Sequence, residues 1–213
     1  MILEGFKFSI NFLKDNFNKL ISIVSIPIVF ELILNSFSSI SEIEGDSITF
    51  YLVTTAALLI QTWAQCMLII FVSNKTSTRS LSDLYIYTLY KLPIVIMWSL
   101  FVGLAATLGI FLFILPGIYI GLRYAFYIFE IILSSKKSTQ AMKDSFTMTE
   151  GKVMQIFLYI LPLMITVMLL SIVIYSLSNF FIIEILYNYL IIIFVTLYSY
   201  YLYTQIKSST NGT

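Results

Sequence analysis

The chain has 213 residues, 59% of them hydrophobic and 11% charged, whereas an ordinary soluble domain carries roughly 25% charged residues. Twelve Lys and Arg against eleven Asp and Glu offer no concentrated basic face for a nucleic acid. The absence of histidine and the single cysteine, Cys66, remove the commonest metal ligand, the usual near-neutral general base and any intrachain disulfide or thiolate cluster.

The segment ahead of the first long apolar run carries Phe6, Ile10, Leu13, Phe17 and Leu20 at helical spacing, with Lys7, Lys14 and Asn18 elsewhere. This pattern predicts a helix lying in the membrane interface. It does not read as a cleaved signal peptide, because Lys14, Asp15 and Lys19 come late and no small-residue cleavage pattern follows Leu34. A membrane-crossing helix needs about 20 mostly apolar residues to span about 30 Å at 1.5 Å per residue. Six such spans are predicted, over residues 20–37 with Pro27 inside, 50–72, 92–115, 117–134, 153–177 with Pro162 inside, and 180–205. The acidic stretch Ser41–Asp46 separates the first pair and Ser178-Asn179 the last. The uncharged run beginning at Leu92 is too long for one crossing, and Leu115-Pro116-Gly117 supplies a stop and a tight turn. The expected fold is therefore all-α: one domain over 1–213 with six transmembrane helices and short amphipathic interfacial helices.

Lysine and arginine accumulate on the cytoplasmic side of membrane proteins. Lys7, Lys14 and Lys19, then Lys75, Arg79 and Lys91, then Lys136, Lys137, Lys143 and Lys152, and finally Lys207 all fall on one side of the six spans. Both termini are accordingly expected in the cytoplasm. Lys75–Asp83 and Lys136–Asp144 also resemble each other at an offset that carries Lys91 onto Lys152. They suggest a unit of interfacial helix plus hairpin used three times, or else a chance match between polar loops.

A charge at the bilayer centre costs about 2.5–3.5 kcal/mol on insertion scales and needs a partner or a wet cavity. Glu31 in the first span and Arg123 in the fourth each lie about six residues, or roughly 9 Å, from the outer end. With Glu184 entering the sixth span from that side, a Glu31–Arg123–Glu184 cluster is expected to be within geometric reach. Glu130 lies two turns beyond Arg123 on the same face, where inner lysines come within its range. Gln61 and Gln65 share a face of the second span. These groups read either as structural ties that fix helix register or as a polar pocket for an ion, a proton or a lipid head group. Ala105 and Gly109, with Gly103 and Ala106 nearby, form a small-residue packing surface. Tyr198, Tyr200, Tyr201 and Tyr203 form an aromatic belt at the inner end of the last span. No cofactor box or glycine-rich phosphate loop is present, so no cofactor is expected.

The stretch Leu108-Gly-Ile-Phe-Leu-Phe-Ile-Leu-Pro-Gly-Ile-Tyr-Ile-Gly-Leu-Arg123, followed by Ser138-Thr-Gln-Ala-Met-Lys-Asp-Ser-Phe-Thr-Met-Thr149 and Gly151-Lys152, resembles the YciC-like bacterial inner-membrane proteins. It is also similar to the related membrane domain found beside some glycerophosphoryl diester phosphodiesterases. The resemblance is clearest over residues 91–161. Ala141, Ser145 and Thr149 keep the family's spacing, and Met148 stands where leucine is usual. It implies a multi-pass protein of the bacterial cytoplasmic membrane and no diesterase activity, because the catalytic barrel of those enzymes is a separate domain.

Three functions compete at this point. The first is a non-catalytic protein of envelope or lipid homeostasis, whose basic amphipathic segments meet membrane lipids and anionic head groups. A small transporter or channel with a polar pocket around Arg123 and Glu31 is the second. A lipid enzyme is the third, for which no nucleophile–base arrangement is visible in the sequence.

Overall fold

The first helix, α1 (Ile2–Glu44), bends at Asn16, whose φ of −123° and ψ of 17° leave the helical region. A short amide side chain competes with the backbone for hydrogen bonds, and Asn16 Nδ2 donates to the Phe12 carbonyl at 3.0 Å. The computed structural model describes residues 1–44, 47–73, 81–134, 136–177 and 181–211. The predicted interfacial helix and first span are thus two arms of one bent helix, and Pro27 lies in the second arm.

Next come α2 (Ser47–Ser73), α3 (Leu81–Leu112), α4 (Ile114–Arg123), α5 (Tyr127–Leu133), α6 (Ser138–Met148), α7 (Val153–Leu177) and α8 (Phe181–Asn211). No strand occurs among the described residues. Among the described residues six stretches are long and apolar enough to cross a membrane: Ile2–Ser36, Tyr51–Ser73, Leu81–Leu112, Ile114–Leu133, Val153–Ser176 and Ile182–Thr210. The chain is therefore an all-α, multi-pass membrane protein.

The second span is the hub of the bundle, with α1, α3, α5 and α8 packed around it. Its Ala64, Cys66, Met67 and Ile69 are wholly buried. The periphery is formed by α7, which rests chiefly on α8 and α4 and leaves Met168, Leu169 and Val173 uncovered. Apolar side chains facing hydrocarbon need no protein cover, because lipid tails are as apolar as leucine.

The predicted turn at Leu115-Pro116-Gly117 falls two residues earlier. Phe113, with φ −157° and ψ 134°, is the extended link between α3 and α4. Pro116 lies in the first turn of α4, where its missing N–H breaks no helical bond. Gly117 serves close approach instead: a Cβ built there would lie 2.4 Å from the Ile110 nitrogen and 2.7 Å from the Ala106 oxygen. Gly109 meets it from α3, its own Cβ position lying 2.7 Å from Gly117 Cα.

The amphipathic stretch before the third span is continuous with that span in α3, and Lys91 and Pro93 sit inside the helix. Its counterpart α6 is separated from α7 by a turn in which Gly151 adopts φ +70°. The 61-residue offset carries Tyr90 onto Gly151, and left-handed backbone is open to glycine but costly for tyrosine. The two copies of the suggested repeat therefore part company at this position. Most of the predicted acidic separator is helix, since α1 runs through Ser41–Glu44. Asp46, Lys75, Arg79 and Ser178-Asn179 lie outside the described residues.

Candidate functional site: polar groups between the helices

Glu31, Gln61 and Tyr189 meet where α1, α2 and α8 pack together. Glu31 is 4% exposed and accepts a 2.9 Å hydrogen bond from Gln61 Nε2 through Oε1. Its Oε2 has no hydrogen-bond partner, and neither does the Tyr189 hydroxyl, although the two groups are close enough to interact electrostatically. Asn35, one turn on, donates to the Glu31 backbone carbonyl at 3.0 Å. Gln65 is half-buried and does not join this group.

Glu130 lies elsewhere, between α5 and α8. It is 3% exposed and accepts from Lys207 Nζ at 2.7 Å and from the Tyr203 hydroxyl at 2.9 Å. Lys207 also donates to the Tyr203 oxygen at 2.6 Å, and the Tyr203 ring stacks on Phe129 at 5.1 Å. Beside this triad a cleft of about 210 Å³ opens, with Lys136, Asp144, Thr147 and Thr210 in its wall.

Arg123 ends α4 and is 4% exposed. Its guanidinium lies 3.7 Å from the Phe146 ring centroid and 5.8 Å from that of Tyr119. Its Nε has no partner. The expected Glu31–Arg123–Glu184 cluster does not form: Arg123 faces α6, Glu31 faces α2 and α8, and half-buried Glu184 reaches neither. The depth count that matched Arg123 to Glu31 treated both spans as straight. The fourth span is instead broken between α4 and α5, and α6 doubles back along α5 until Thr149 Oγ1 donates to the Arg123 carbonyl at 2.9 Å.

That return explains the spacing Ala141, Ser145, Thr149. All three are 0% exposed, so the motif is a face of small side chains that lets α6 lie close against α5. The far end of α6 is fastened by Lys136, which meets Asp144 Oδ2 at 2.5 Å, and by Gln140 Nε2, which donates to Oδ1 at 2.7 Å. The hydrogen bond from Lys136 holds the Asp144 carboxyl below its ordinary value, against an opposing effect of burial. A depressed folded-state value means this contribution is full at neutral pH and is lost as pH falls through that value. Amide protection factors across α6, which divide out the intrinsic slowing of exchange in acid, should accordingly fall on acidification in the wild-type protein, whereas Asp144→Asn should show low protection at both pH values.

The first arm of α1 also docks on the bundle, but not by the predicted stripe. Gly5, Ser9 and Phe12 are the buried positions, with Phe6 against Phe194 and Tyr198, Phe8 against Tyr201, and Phe12 against Phe71. Leu3 and Ile10 stay exposed at 66% and 44%, and Lys7 and Lys14 are exposed beyond them. At 100° per residue these sets occupy three successive sectors of one helix: protein-facing, apolar and charged.

Sequence reading missed Tyr189 and Phe146, and it placed Tyr203 in an aromatic belt, whereas Tyr203 is buried and donates to Glu130. A signal for the two tyrosines was present, because Tyr189, Thr196 and Tyr203 recur every seven residues along α8 and all three are buried. No protein-family model, curated protein or solved structure matches the chain.

Proposed function

We propose that this chain is a non-catalytic protein of the bacterial cytoplasmic membrane, related to the YciC-like proteins, that serves envelope or lipid homeostasis by organising anionic lipid at the inner leaflet. The three-sector first arm of α1 carries this reading. One sector is fixed to α8, so the apolar sector of Leu3 and Ile10 is held toward hydrocarbon and Lys7 and Lys14 toward head groups. The basic residues Lys136, Lys143, Lys152 and Lys207 belong to the same side in the charge asymmetry of the sequence, which favours cytoplasmic termini. The alternative, a transporter or channel built around Arg123 and Glu31, is less favoured because those residues engage different helices and the cleft beside Glu130 is lined by neither of them.

The test uses the full chain in vesicles containing fluorescent anionic or fluorescent zwitterionic phospholipid, with energy transfer from the protein's tryptophans reporting lipid enrichment. Wild type should enrich the anionic probe. Lys7→Gln with Lys14→Gln should weaken that preference by about 1 kcal/mol per lysine. Equal transfer to both probes by the wild-type protein would refute the reading.

A further inference from the structure

We infer that the groove between α4 and α7 holds an acyl chain of one anionic phospholipid, whose phosphate closes on the Arg123 guanidinium. The idea rests on the lipid-organising reading above but assigns a discrete site to it. The groove encloses about 490 Å³ and is walled by Leu115, Ile118, Tyr119 and Leu122 of α4 and Met154 and Phe157 of α7. These are apolar or aromatic side chains, and in a membrane such a gap between two helices fills with lipid.

Tyr119 joins the groove to the cation, since its ring forms part of the wall and lies 5.8 Å from the guanidinium. Arg123 is buried, its Nε is unpaired, and among the described residues no carboxylate forms an ion pair with it. Ring faces alone compensate a buried cation only in part. An arginine fork matches phosphate oxygens two at a time, so a phosphodiester supplies both the missing charge and the missing acceptors. The same surroundings select among head groups. The ammonium of a zwitterionic lipid would be placed beside a cation that no carboxylate neutralises, whereas a head group that is otherwise uncharged meets no such penalty.

Native mass spectrometry of the full chain, released from bilayers of mixed phosphatidylglycerol and phosphatidylethanolamine, reads the site directly. Wild type should retain one phosphatidylglycerol. Arg123→Gln should lower its occupancy about tenfold, as expected for losing a charge-assisted pair, with Arg123→Lys intermediate. Met154→Trp, at a position 70% exposed on the groove, leaves the guanidinium intact and should expel the same lipid by filling its space. Retention of the lipid by a folded Arg123→Gln protein or by Met154→Trp overturns the proposal, as does equal retention of phosphatidylethanolamine by the wild type. The double Lys7→Gln, Lys14→Gln variant should keep the single bound lipid while losing general anionic enrichment. Failure of the interfacial reading and failure of this site therefore give different results.

Discussion

Replacing Gly117 with leucine should prevent the α3–α4 hairpin from closing and give the largest loss of stability of any single substitution in the membrane-embedded part. The obstacle is backbone: the first added carbon would sit 2.4 Å from the Ile110 nitrogen, 2.7 Å from the Ala106 oxygen and 2.3 Å from Ile110 Cγ1. A flexible side-chain tip can swing aside, but two helices cannot separate by an ångström without unpacking their neighbours. Overpacking of a tight core typically costs about 1–3 kcal/mol, and a clash against backbone belongs at or above the top of that range. Gly117→Ala should already lower the thermal midpoint measured in detergent. Gly103 and Gly121 provide controls, because a Cβ at either meets nothing within 4 Å. Alanine there should be neutral or stabilising by up to about 1 kcal/mol through helix propensity. Equal midpoints for Gly117→Ala and Gly103→Ala would show that the close approach does not matter.

The second large effect is expected at Lys207. Removing one member of a buried ion pair typically costs about 3–5 kcal/mol, because the other charge is stranded. Glu130 is the buried partner, at 4% side-chain exposure, while Lys207 is 41% exposed. The two directions of cutting should therefore differ. Lys207→Met leaves the carboxylate with only the Tyr203 hydroxyl and should cost near the lower end of that range, since solvent already screens the lysine. Glu130→Gln keeps an acceptor for Tyr203 and releases Lys207 to water, so it should cost less. Combining the two should recover much of the loss, and a thermal melt of the four proteins measures the coupling. A Lys207→Met protein as stable as wild type would mean that the pair contributes nothing to stability.

Hydropathy made the spans legible because each needs about 20 apolar residues, and that requirement does not depend on how the helices pack. Glu130 was legible for a related reason: it lies near the basic end, so a lysine partner follows from charge alone. Arg123 was not. Its depth was counted along a straight fourth span, yet the break after Arg123 and the return of α6 decide its neighbours, and Phe146 is an aromatic residue that no charge pattern would nominate. The Ala141–Ser145–Thr149 spacing was visible as a motif, but its meaning as a docking face required knowing that α5 lies opposite. Asn16 carried its own warning as a short amide inside the amphipathic stretch. That Gly5, Ser9 and Phe12 are buried against the bundle depends on its other helices, which sequence periodicity cannot supply.

The uneven cover of the helices also has a consequence for how the protein is made. The seventh helix is the most apolar span and the least covered by protein, whereas Ile114–Leu133 is the least apolar and among the most covered. During synthesis α7 has enough affinity for the bilayer to leave the insertion channel unaided. The span containing Arg123 and Glu130 lacks that affinity, and its fit with α3 through Gly109 and Gly117 is available as soon as both have emerged. These two helices should therefore enter the membrane together as a preassembled hairpin. Slowing translation between them should trap a form with the fourth span left on the wrong side.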